Sequence, residues 1–272
     1  MLAKLDLARH LASMSEANEK PTIPMKAAIL PVTPLQQNCS LIWCTKTMRG
    51  ALVDPGGDLD KLKSAVEKSG VTLEKLLVTH GHLDHCGQTG ILAEELGLPI
   101  EGPHEDDRFW IAQLDDDGKR WGMHAQSFEP DRWLEHGDKV TVGELELDVI
   151  HCPGHTPGHV VFFHVPSRFA IVGDVLFQGS IGRTDFPKGN HQDLIDSITQ
   201  RLWPLGEDVT FIPGHGPTST FGTYATDDRH YVWVPNGTYE MQIAFSSLDW
   251  DTDTAQIAQI RPNVDLGSDG ND

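Results

Sequence analysis

Short apolar runs that stop at glycine, proline and clusters of polar donors recur along this chain. Leu76-Leu77-Val78 stops at Thr79-His80-Gly81-His82-Leu83-Asp84-His85. Residues 145–150 alternate apolar and acidic side chains and run into His151-Cys152-Pro153-Gly154-His155-Thr156-Pro157-Gly158-His159. Phe169-Ala170-Ile171-Val172 stops at Gly173-Asp174, and residues 209–212 stop at Pro213-Gly214-His215-Gly216-Pro217. Such runs predict short strands. The glycines and prolines that follow pin loops and let backbone approach closely. Further strands are predicted over residues 27–31, 39–44, 49–53 and 160–165, and residues 130–149 read as a turn and two strands. Between them lie helical patterns. Residues 58–68 carry Leu59, Leu62, Ala65 and Val66 on one stripe, with Asp58 as N-cap. Residues 88–96 carry Ile91, Leu92 and Leu96 on a buried stripe, closed by Gly97 and Pro99. Residues 194–202 complete the set. Strands and helices in this order predict one layered α/β domain. The polar clusters sit in loops after strands, where α/β sites usually lie.

The cluster at His80 to His85 puts three imidazoles and one carboxylate into six residues. Burying that many donors is costly unless something neutralises them, and a divalent metal does so. In extended chain alternate side chains share a face, so His80 and His82 can clasp one ion. Asp84 and His85 follow after the chain begins to turn and can face a second. A lone histidine is more often structural, so His151 and His159 are read as supporting or packing residues.

Composition narrows the function. The 272 residues suffice for one large domain with a substantial core. A formal net charge of −19 argues against nucleic acid as a partner. No apolar run reaches the length of a membrane span, which argues against a membrane partner. Residues 1–24 read as an N-terminal extension with a short amphipathic pattern and no signal-peptide core. The four cysteines, Cys39, Cys44, Cys86 and Cys152, form no CxxC pair and fit buried free thiols in a reducing, cytoplasmic setting.

With H-x-H-x-D-H at His80 to His85, then His155, Asp174 and His215 in that order, the chain resembles the metallo-β-lactamase superfamily over residues 25–222. The resemblance implies an αββα sandwich of two mixed β-sheets flanked by helices, with metals at one edge. It implies one ion on His80, His82 and His155, a second on Asp84, His85 and His215, and Asp174 bridging both. Asp54 matches an acidic position that supports the metal loops in this superfamily, although a turn carboxylate is an equal reading. Five imidazoles and two carboxylates suit zinc, iron or manganese about equally by donor type; two divalent ions per chain are expected, zinc before iron or manganese.

Within the superfamily the stretches 37–44, 53–57, 79–85, 152–159, 173–177 and 211–217 are similar to the compact bacterial branch of glyoxalase II, the hydroxyacylglutathione hydrolases. That likeness implies a thioester hydrolase cleaving S-lactoylglutathione to lactate and glutathione. The attacking group would be a hydroxide bridging the two ions, with Asp84 and Asp174 as its catalytic carboxylates. Gly182-Arg183-Thr184-Asp185-Phe186 would border the substrate, with Arg183 pairing a glutathione carboxylate or, alternatively, Asp185. The first rival is a persulfide dioxygenase holding one Fe(II) on His80, His155 and Asp174, which shares a similar loop. His82, Asp84, His85 and His215 favour the hydrolase. β-Lactam hydrolysis and a non-catalytic metal-binding role are the remaining alternatives. Residues 223–272 match no family pattern. They read as an atypical tail with a hairpin around Pro235-Asn236-Gly237-Thr238 and a disordered acidic end. The oligomeric state is left open.

Overall fold

The computed structural model describes residues 24–225 and 256–258. The amphipathic pattern in residues 1–20, the hairpin expected at 231–245 and the acidic end lie outside the described residues.

The first sheet contains β1 (Met25–Val32), β2 (Gln37–Cys44), β3 (Arg49–Val53), β4 (Thr72–Leu77) and β5 (Ile100–Glu101). The second contains β6 (Lys139–Val142), β7 (Leu145–His151), β8 (Val160–His164) and β9 (Phe169–Gly173). A small hairpin of β10 (Leu176–Phe177) and β11 (Ser180–Ile181) follows, and the second sheet resumes with β12 (Thr210–Pro213) and β13 (Ser219–Thr220). Strand β14 (Gln256–Ala258) adds antiparallel to β1 at the free edge of the first sheet, with Ala27 opposite Ala258. Both sheets are mixed: β3 pairs parallel with β4, and β9 pairs parallel with β12.

The period-two pattern decides the layers. Every residue of β2 is buried, because both faces of the strand are covered. Ile42 and Cys44 point between the sheets, where they meet Val142, Leu147, Phe162 and Ile171 of the second sheet. Cys39, Leu41 and Trp43 point outward and pack with Leu62 of α1 (Leu59–Ser69) and Leu92 of α3 (Thr89–Leu96). The outer face of the second sheet mirrors this arrangement. Val161, Phe163 and Phe211 pack on Leu194 of α6 (His191–Asp196) and on Ile198 and Leu202 beyond it. The remaining helices are α2 (Leu83–Cys86), α4 (Arg108–Ile111), α5 (Leu114–Trp121) and α7 (Gly222–Ala225). The result is the expected αββα sandwich. Among the described residues no helix is long and apolar enough to cross a membrane.

Three local expectations are corrected. Asp58 precedes α1 but adopts a left-handed conformation and makes no capping bond; its carboxylate accepts the Thr33 N–H at 2.9 Å instead. Leu96 is 41% exposed, because the buried stripe of α3 runs through Thr89, Gly90, Leu92 and Ala93. The helix expected over 194–202 starts at His191, capped by the Asn190 side chain, and widens to a π-helix over Ser197–Leu202 before Pro204 stops it.

Candidate metal centre

Five strand ends deliver the site. β3 leads to Asp54, β4 to His80, β7 to His155, β9 to Asp174 and β12 to His215. The two sheets are joined at this edge by a Val160 N–H to Thr79 carbonyl bond of 2.8 Å. The Gly214 N–H donates to the Gly173 carbonyl at 2.8 Å, and the Asn38 N–H to the Gly214 carbonyl at 2.7 Å. These bonds hold the loops in register before any ion is considered.

The donors fall into two groups. His80 Nε2 lies 3.1 Å and His155 Nε2 3.0 Å from His82 Nδ1. A tetrahedral ion with metal–nitrogen bonds of about 2.0–2.1 Å separates its imidazole nitrogens by about 3.3–3.4 Å, so the triangle is within a few tenths of an ångström of that shell. Beside it, His215 Nε2 is 3.1 Å from Asp84 Oδ2, and His85 Nε2 is 3.8 Å from the same oxygen. Asp174 stands between the groups. Its Oδ2 is 3.5 Å from His155 Nε2 and 3.8 Å from His215 Nε2, and its Oδ1 is 3.3 Å from His85 Nε2.

The far side of each ring fixes which nitrogen faces inward. His85 Nδ1 donates to Asp54 Oδ2 at 2.9 Å, His155 Nδ1 to the Arg183 carbonyl at 2.8 Å and His215 Nδ1 to the Leu35 carbonyl at 3.2 Å. The Thr79 hydroxyl donates to Asp54 Oδ2 at 2.6 Å, which leaves its oxygen to accept from His80 Nδ1 at 3.0 Å. Each of these four rings therefore turns an Nε2 lone pair toward the centre. His82 is the exception and presents Nδ1. Its ring packs edge-on against Trp110 and Phe186, with centroids 4.6 and 4.7 Å away.

Burial pushes the His80 and His82 pKa values well down, aided by the surrounding imidazoles, so these rings are held neutral with lone pairs free. Burial alone would raise the Asp174 carboxyl, but His85 and His215 hold it well below the usual carboxylate range. His85 Nε2 and Asp174 Oδ1 are buried, face one another and make no hydrogen bond. Orphaned buried atoms of this kind are costly, and a shared cation satisfies both. The donor set thus fits two divalent ions, one on three imidazoles and one on Asp84, His85 and His215, with Asp174 reaching both.

All seven residues that the motif resemblance assigns to metal lie together here. Asp54 lies directly behind them, hydrogen-bonded to Thr79 and His85. Its backbone is left-handed, with φ 56°, an unusual conformation for a non-glycine residue. Its carboxylate accepts from the Thr79 N–H, the Thr79 hydroxyl and His85. Gly173 also has a positive φ, 47°, and a Cβ there would press on His159 Nε2 at 2.6 Å. His159 supports rather than ligates, because its Nε2 accepts the Asp174 N–H at 3.0 Å. His151 stacks on His104 with centroids 4.2 Å apart and planes 10° apart. Together with Asp106 these two form another cluster of donors. Near-parallel rings aim their in-plane lone pairs side by side, so that cluster does not converge on one ion. Arg183 lies on the rim over Phe186, paired through Nε and Nη2 with both Asp185 oxygens at 2.6 Å.

Sequence reasoning missed Trp110 and Asp107. Asp107 sits in the acidic run Glu105-Asp106-Asp107, which looks like a solvated patch, yet its carboxylate is fully buried. Burial raises its pKa to about 6 despite three hydrogen bonds. No local signal separates it from its exposed neighbours.

The Metallo-beta-lactamase superfamily profile matches residues 32–215. The chain belongs to the metallo-beta-lactamase superfamily. Hydroxyacylglutathione hydrolase GloC of Haemophilus influenzae is 43% identical over 200 residues, 73% of this chain and 94% of that protein. This superfamily relationship extends to solved structures. BLEG-1 B3 metallo-beta-lactamase aligns with a TM-score of 0.68 at 31% identity, covering 75% of this chain and 98% of its own. TTHA1623, solved in a di-iron-bound form, aligns at 0.66 and 34% identity, covering 73% and 96%. Superfamily membership and the two donor groups together make this chain a metal-dependent hydrolase by type.

Proposed function

We propose that the protein is a thioester hydrolase that holds two divalent ions, zinc first, and cleaves S-lactoylglutathione to lactate and glutathione. The observation that carries this reading is the second donor group. His85 and His215 are oriented from behind by Asp54 and the Leu35 carbonyl, and Asp84 lies against both, so one ion would leave half the constellation without a role. The likeness to the Haemophilus influenzae hydroxyacylglutathione hydrolase supports the substrate class.

Two ions bound here supply Lewis-acid activation of a water and of an acyl carbonyl. The chain's residues supply the rest. Asp54, Thr79, Leu35 and Arg183, through side chain or backbone, lock the rings so that no reorganisation accompanies reaction. Asp84 and Asp174 supply the carboxylate charge that balances the ions, and Asp84 orients the attacking water. His215 is more open than either carboxylate, its side chain 29% exposed against 14% for Asp84 and 11% for Asp174. Substrate therefore approaches on the His215 side. Trp110 and Phe186 close the His82 side to water. A thiolate is a good leaving group, so no strong general acid is required of the chain.

The test is turnover of S-lactoylglutathione by the purified full chain, with metal content read on the same sample. Hydrolysis with two ions per chain is the expected result. One iron per chain, no hydrolysis, and oxygen uptake with glutathione persulfide would replace this reading with the dioxygenase.

A further inference from the structure

Two separate loops carry the three-imidazole site, and both are fastened to one carboxylate. Asp107 closes the single 3-10 turn Glu105–Asp107 and is 0% exposed. Its Oδ2 accepts the Gly81 N–H at 2.9 Å and the Thr156 hydroxyl at 2.7 Å; its Oδ1 accepts the Gly158 N–H at 2.6 Å. Gly81 lies between His80 and His82. Thr156 follows His155, and Gly158 precedes His159. The packing leaves no slack. A Cβ on Gly158 would lie 2.7 Å from Asp107 Cβ and Cγ, and one on Gly81 would lie 3.1 Å from the Asp107 carbonyl oxygen. The hydrogen bonds of this carboxylate fall between His80 and His82 and beside His155; Asp84 and His85 follow in α2, and neither they nor His215 bonds it directly.

We propose that Asp107 is a positioning residue that sets the separation of His80 and His82 from His155, and so governs occupancy of the three-imidazole site independently of the other. The chemistry requires a carboxylate. All three partners are donors, and two are backbone N–H groups that cannot reverse. An isosteric amide must turn its NH₂ toward one of those N–H groups in either orientation, which orphans Gly81 or Gly158. A loop released in this way lets one ligand drift from the other two. Partners of this kind that orient metal ligands are worth about 10–100-fold in metal affinity. The inference rests on the two-ion reading above.

The experiment titrates metal-free wild type, Asp107→Asn, His82→Ala and the double variant with Zn²⁺ against a chromophoric chelator. Thermal unfolding of each metal-free protein is followed alongside. Wild type taking fewer than two tight ions would overturn the two-ion reading itself. With wild type taking two, Asp107→Asn is expected to keep one at wild-type affinity and bind the other about 10–100-fold more weakly. Adding Asp107→Asn to His82→Ala should then leave the remaining ion unchanged. Thr156→Val, which removes one bond and leaves both N–H bonds intact, should weaken the same ion by less, and Thr156→Ser should restore it. This pair decides the matter should Asp107→Asn fail to fold. Two wild-type affinities in Asp107→Asn, equal weakening of both ions, or no difference between Thr156→Val and Thr156→Ser would overturn the proposal.

Discussion

Gly214 packs so tightly against Asp174 that a Cβ built on the glycine would overlap the carboxylate Oδ1, and it would also lie 2.6 Å from His85 Cε1. The residue before His215 thus has no room for a side chain, because Asp174 and His85 from two other loops fill that space.

Gly214→Ala should therefore act on the metals rather than on the backbone. Overpacking of this kind costs about 1–3 kcal/mol. Asp174 is the group that must give way, and a displacement near 1 Å costs about 100-fold in rate. We expect kcat/KM to fall by about that factor and metal content to drop below two per chain. Metal analysis beside steady-state kinetics checks it; full metal content with unchanged kinetics would show that the loop relaxes elsewhere.

Thr79 separates shape from hydrogen bonding. Its hydroxyl donates to Asp54 and accepts from His80, and the residue is fully buried. Thr79→Val keeps the branched shape but strands both partners, at about 1–3 kcal/mol of stability. Zinc affinity should fall by about 10–100-fold. Thr79→Ser keeps the hydroxyl and gives up one methyl group, worth about 0.8 kcal/mol. Chelator competition should rank wild type and serine together, well above valine. Equal losses in both variants would mean that packing, not the relay to Asp54, is what matters.

Arg183 plays two roles that mutation can divide. Its carbonyl orients His155, whereas its guanidinium is on the exposed rim beside Asp185. Arg183→Ala retains the carbonyl, so metal content and kcat should hold. If the guanidinium leaves Asp185 for a substrate carboxylate, KM should rise about two- to fivefold, the range of an exposed ion pair. An unchanged KM would mean that the side chain serves only its Asp185 pair and its contact with Phe186.

The fold was legible because the chain states it repeatedly. Four apolar runs, each followed within a few residues by glycine or proline and a candidate metal donor, mark strand ends on one edge, and the mixed sheets follow from there. The candidate donor cluster was legible because His80, His82, Asp84 and His85 sit within six residues in a motif with few other uses. What was not legible depends on distance in the fold. Asp107 gains its role from contacts 26, 49 and 51 residues away, and nothing in Glu105-Asp106-Asp107 says which carboxylate turns inward. Asp58 satisfies the rule for an N-cap, yet Thr33 claims its side chain from 25 residues away. The π-helix at Ser197–Leu202 likewise has no signature in its own periodicity; Ile198 and Leu202 pack there against the second sheet.

Away from the cluster of donors, Glu74 ties the sheets together and gives a pH dependence free of the site. On β4, it accepts the N–H of Gly143 in the β6–β7 turn at 2.7 Å and pairs with Arg49 on β3. Burial alone would raise its pKa, but the Gly143 N–H and Arg49 outweigh that and leave it lowered. A carboxyl with a depressed folded pKa binds protons more weakly folded than unfolded. Its contribution is complete above the unfolded value of about 4.3 and is lost as pH falls through the lower folded value. The side chain is 21% exposed and its partner 51%, so the amount is modest, about 0.5–1.5 kcal/mol. Glu74→Gln should lower the denaturation midpoint of the metal-free protein at pH 7, and the gap to wild type should close in acid below pH about 4. A gap independent of pH would show that Gln holds the Gly143 N–H as well as the carboxylate does and that the difference lies in packing.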